Sequence, residues 1–100
     1  MPRQLFQPAD GGRGDNSPRV RPLFRIAADI LHNWPRASQH ALPYIFAMRH
    51  LNTLSDSYGA DSAQSVVLYF LSNASTWRGE DARRIKDELK TMLKENGYDF

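Results

Sequence analysis

The stretch Asp61–Leu93 reads DSAQSVVLYFLSNASTWRGEDARRIKDELKTML, and the rest of the chain is read outward from it. Its first third is apolar. Ala63, Val66, Val67, Phe70, Leu71 and Ala74 recur at the i, i+3, i+4, i+7 spacing of one helical face. Leu68 and Tyr69 widen that arc and leave mainly Ser65 and Ser72 on the polar side, so this helix is expected to be covered on several sides. Asp61, with Gln64 three residues later, has the spacing of a capping box and predicts the helix start. A second periodic segment runs from about Gly79 to Glu95, with Ala82, Ile85, Leu89, Met92 and Leu93 as its apolar stripe. Glu80 and Asp81 stand in its first turn, where carboxylates favour the positive end of the helix dipole. Gly97 is placed to supply a left-handed C-terminal cap.

That second segment is highly charged. At 100° per residue, Arg83, Lys86, Lys90 and Lys94 fall on one flank, and Asp81, Glu88 and Glu95 fall on the other. Two readings stay open: a solvated helix laced by local ion pairs, or a flank that docks a partner electrostatically. The connecting segment Asn73–Gly79 is polar except for Trp77. Trp77 either staples the last helix to the core or serves, with Arg78, as an interface anchor.

Moving toward the N-terminus, a helix is expected from Pro43 to about Ser57 and is ended by Gly59. Ala41, Tyr44, Ile45, Met48, Leu51 and Ser55 share its inner face, with Ala47 and Leu54 alongside. Phe46 falls off that stripe, on the side of Arg49, His50 and Thr53. An earlier helix is expected to open at Pro22, whose fixed φ suits the first helical position, and to close before Pro35. Its stripe is Leu23, Phe24, Ala27, Ile30, Leu31 and Trp34. Residues 1–19 carry Pro2, Pro8, Pro18 and the Gly11–Gly14 cluster, with too little apolar periodicity to offset their ordering entropy. The expected architecture is all-α: a small bundle of four helices near 22–34, 43–57, 62–74 and 79–95, with a flexible N-terminal tail over 1–19 and one helical domain over 20–97. No alternating strand pattern is visible.

Composition bounds the function. One hundred residues fit a single domain with a modest stability margin. The absence of cysteine excludes disulfides and thiolate–zinc sites and favours a cytosolic setting. No apolar run approaches the ~20 residues of a membrane span, and no basic, apolar, cleavable leader is read at the start. The net charge of +2 is concentrated early, because Arg3, Arg13, Arg19, Arg21 and Arg25 face only Asp10 and Asp15. The high isoelectric point therefore does not imply a basic domain surface.

Catalytic signatures are missing. His32, His40 and His50 lack metal-ligand spacing, and no serine sits in a nucleophile elbow. Asp56 and Asp61 fail the calcium-loop pattern, and no glycine-rich phosphate loop follows a strand. No cofactor is expected. Nucleic-acid binding is the second reading, with residues 80–95 as a recognition helix aided by the tail arginines. Against it, the connection between the last two helices exceeds the usual turn, and the last helix balances five basic residues with five acidic ones.

The run PYIFAM at 43–48, followed by YGADSAQSVVLYFLSNASTWRGEDARRIKDELK at 58–90, resembles a family of small proteins encoded by bacteriophages of actinobacteria, mycobacteriophages among them. The resemblance covers roughly residues 22–93 and carries no catalytic residues across. It implies a phage product made in the cytoplasm of the host. By analogy of origin, it implies an accessory protein that binds a host protein and redirects or inhibits it. The residues expected to contact a partner are Trp77, Arg78, Arg83, Lys86 and Lys90, with Phe46 as a second patch that the tail or a second copy of the chain would alternatively cover.

Overall fold

The computed structural model describes residues 20–98. Expectations for residues 1–19, including the tail arginines among them, lie outside the described residues. The order of elements is α1 (Leu23–Asn33), α2 (Leu42–Met48), β1 (Ser57–Tyr58), β2 (Asp61–Ser62), α3 (Ala63–Ser72) and α4 (Glu80–Glu95). Each helix packs on its neighbour in sequence, and α1 against α4 closes the ring. Among the described residues four helices are found where four were expected, but the fold there is mostly helical rather than all-α. Ser57 pairs with Ser62 and Tyr58 with Asp61 in a two-stranded antiparallel hairpin, turned by Gly59 at φ 61°.

The helix expected to reach Ser57 ends at Met48. Helix α1 begins after Pro22, so its first N–H groups have no intrahelical partner. The carbonyls of Asn52 and Leu51 satisfy them, accepting from Leu23 N at 2.9 Å and Phe24 N at 2.9 Å. The Asp56 carboxylate gathers the N–H groups of Asn52 and Thr53 at 2.7 and 3.1 Å, folding the chain into a turn. These bonds hold residues 51–56 outside any helix. Leu51 and Leu54 still reach the core from that turn.

Helix α3 starts one residue later than Asp61 predicts. Asp61 and Ser62 both pair in the hairpin, and it is the Ser62 hydroxyl that accepts from Ser65 N at 3.1 Å as the cap. Tyr69, counted in the apolar arc of α3, is instead 51% exposed and shares the solvent side with Ser72, while Ser65 is half-buried. On α1, Ile26 takes the core place assigned to Phe24, which is 44% exposed. One contiguous core joins Leu23, Ile26, Ile30, Ile45, Met48, Val67, Phe70, Ile85, Leu89 and Leu93. The C-terminal cap of α4 forms as read. Gly97 adopts φ 92°, its N–H bonds Lys94 O, and Tyr98 N bonds Leu93 O.

A polar clamp outside that core ties the entry of α1 to α4. The Arg21 guanidinium donates to Glu88 at 2.7 and 2.9 Å and to Asp29 at 3.1 Å. Arg84 also reaches Asp29, at 3.2 Å, and Asp81, at 3.2 Å. The bond to Glu88 raises the Arg21 pKa further above its ordinary value. Burial pushes the Asp29 carboxyl up, but the hydrogen bonds and charges of Arg84 and Arg21 outweigh it and hold Asp29 below its ordinary range.

Candidate partner-docking site

The segment between α3 and α4 carries Trp77 into the core. Its backbone N–H bonds Ala74 O at 3.1 Å, and its indole lies parallel to Trp34, with ring centroids 5.3 Å apart and planes 7° from coplanar. Phe70 meets it edge-on at 6.5 Å and 69°. Trp77 is only 5% exposed. Its indole is therefore a staple of the fold and lacks the area to anchor a partner, which corrects one of the two open readings.

Arg78 follows, exposed, and Gly79 at φ 111° turns the chain into α4 with no side chain over the free N–H groups of the first turn. The Lys86 ammonium reaches back to donate to Trp77 O at 2.7 Å, binding the connection to the second turn of α4. Burial, with the neighbouring charges of Lys90 and Arg78, holds the Lys86 pKa below its ordinary value. Arg78, Arg83, Lys86 and Lys90 thus surround an open depression of about 320 Å³, joined on its rim by Asp87. None of the four cations makes an ion pair with another described residue.

Five of the six residues expected to contact a partner therefore meet at one place, although Trp77 does so from beneath. Phe46 does not join them. It stands on α2 with 48% of its surface exposed, off the inner stripe as its helical position requires. Asp87 was missed. Its signal was available, because it falls four residues after Arg83 and three before Lys90. Gly79 was read only as a helix boundary.

Among the described residues, no group of three or more His, Asp or Glu side chains converges as a metal site would. None of the helices there is long and apolar enough to cross a membrane. Comparisons with protein-family models, curated proteins and solved structures find no match to this chain.

Proposed function

We propose that this chain is a non-catalytic interaction protein, a bacteriophage accessory product that acts in the host cytoplasm by binding a host protein through the basic depression of α4. The observation that carries the docking reading is the set of four cations around one concavity that have no carboxylate partner among the described residues, while Arg84, on the opposite flank of the same helix, is paired twice. The phage origin rests on the resemblance of residues 22–93.

The exposed Arg78, Arg83 and Lys90 steer an acidic partner toward the surface and fix its orientation, and closure of the interface excludes the water that screens them. The rigid floor contributes too. Because Trp77 is stacked and Lys86 is tied to its carbonyl, the cations at the edge are presented by a fixed backbone, which lowers the ordering cost of association.

The test is capture from an actinobacterial lysate on the immobilised full chain, at two salt concentrations and with and without nuclease. The expected result is a discrete host protein, retained after nuclease and weakened by salt. Arg83→Glu combined with Lys90→Glu is expected to abolish that capture with helicity unchanged. Wild-type capture by the double variant would reduce the basic flank to a solvated helix face. Capture that disappears on nuclease treatment alone would put nucleic-acid binding in its place.

A further inference from the structure

We propose that the depression seats a short acidic segment of a partner protein, with two carboxylates on the order of 10 Å apart, one meeting Arg83 and the other Lys90; this rests on the protein-docking reading above and specifies the chemistry of the partner. The spacing follows from the helix. Arg83 and Lys90 are seven residues apart, and at a rise of about 1.5 Å per residue their attachment points are separated by two turns along one flank. A partner helix with carboxylates two turns apart matches them.

The other groups in the depression assign the rest of the contact. Arg78 enters from the loop and brings a third cation to the end nearest the N-terminus of α4. Lys86 has spent one of its three donors on Trp77 O, so its position is fixed and two donors remain for the partner. Like charges gathered on one small surface repel one another, and carboxylates brought between them relieve that repulsion.

Asp87 determines which polyanion fits. It lies between Arg83 and Lys90 in sequence and on the same rim, and Glu80, two turns earlier, shares its crest of the helix. A nucleic-acid backbone presents phosphates at regular short intervals, so one crossing from Arg83 to Lys90 would bring a phosphate against Asp87. Two discrete carboxylates straddle Asp87 instead, and a hydrogen-bond donor between them on the partner would meet it. The order acid, donor, acid gives the contact a register that a simple basic patch lacks.

The experiment is a titration of the full chain, followed by amide chemical shifts. The probes are a capped helical peptide with glutamates two turns apart and a lysine between them, the same peptide with both glutamates replaced by glutamine, a short DNA duplex, and inorganic phosphate. The expected result is saturable shifts at Arg78, Gly79, Arg83, Lys86 and Lys90 with the glutamate peptide. Affinity is expected to fall at least about tenfold for the glutamine peptide and for Arg83→Glu with Lys90→Glu. Arg83→Gln serves as a milder variant, with circular dichroism checking that each variant folds.

Equal binding of the two peptides, shifts that map away from α4, no saturable shift at millimolar peptide, or tighter binding of the duplex would each overturn the proposal. Phosphate reproducing the same shifts at the same affinity would also overturn it, by reducing the site to a general anion sink. Peptide binding without any host protein captured from lysate would sustain this site and remove the proposed host function. Host capture that survives the double reversal, with no peptide shifts, would remove the site and leave host binding in place.

Discussion

Replacing Trp77 with alanine separates the two roles that a tryptophan between helices can play. The side chain is 5% exposed, stacked on Trp34 at 5.3 Å and edge-on to Phe70 at 6.5 Å, so its removal opens a large cavity and ends both ring contacts. Truncating a buried tryptophan to alanine costs about 3–5 kcal/mol, of which each aromatic pair accounts for roughly 0.5–1.5 kcal/mol. Domains of this size hold only about 5–15 kcal/mol in total. The variant is therefore expected to keep between none and about four-fifths of its stability, and its thermal midpoint to fall by at least about 12 °C, taking roughly 4–8 °C per kcal/mol. The assay is urea unfolding followed by circular dichroism at the helical band, because the substitution itself alters tryptophan fluorescence. A lower urea midpoint with an unchanged slope is the signature of lost stability without a change in the unfolded chain. Trp77→Phe should recover part of the loss by keeping a ring against Trp34. A cost under about 1 kcal/mol, together with lost partner capture, would refute the staple and return Trp77 to the interface.

Phe70→Ala removes a side chain with no exposed surface from the last turn of α3 and is expected to destabilise by about 3–5 kcal/mol in the same urea assay; less than about 1 kcal/mol would mean that the centre of the core lies elsewhere. Glu88→Gln leaves the Arg21 guanidinium without its closest anionic partner, and a loss of about 1 kcal/mol is expected, shrinking in high salt because the pair is partly exposed. Asp29 and Asp56 both titrate below the ordinary aspartate value of 3.8 in the folded chain, Asp29 because its arginine partners outweigh its burial and Asp56 because it accepts from Thr53 N and Asn52 N. Their folded pKa values are depressed, so their contribution is fully present above the unfolded value and is lost as pH falls through the folded ones. Unfolding midpoints should therefore drop below about pH 4, and Asp29→Asn should flatten that drop.

The sequence by itself determined the number of helices, the inner faces of α3 and α4, the C-terminal cap at Gly97 and the outward placement of Phe46. Each is a local property, because a 3.6-residue period and a positive-φ glycine are written in consecutive residues. It also grouped Arg83, Lys86 and Lys90, since one helix carries all three. The tertiary structure alone decided where α2 stops. That end is set by bonds from Leu23 N and Phe24 N to Asn52 and Leu51, roughly thirty residues away in the chain, and no periodicity within 43–57 encodes them. The exchange of Phe24 for Ile26 in the core has a related cause: both lie near the edge of the α1 stripe, and the packing of α2 and α4 chooses between them. The fate of Trp77 was tertiary as well. Its neighbours in sequence are polar, and only the arrival of Trp34, just after α1, and Phe70 from α3 turned a surface candidate into a buried staple. The same holds for the charges of α4. The flanks were legible at 100° per residue, but that Arg84 is paired while Arg78, Arg83, Lys86 and Lys90 make no ion pair among the described residues depended on α1 bringing Asp29 against the opposite flank.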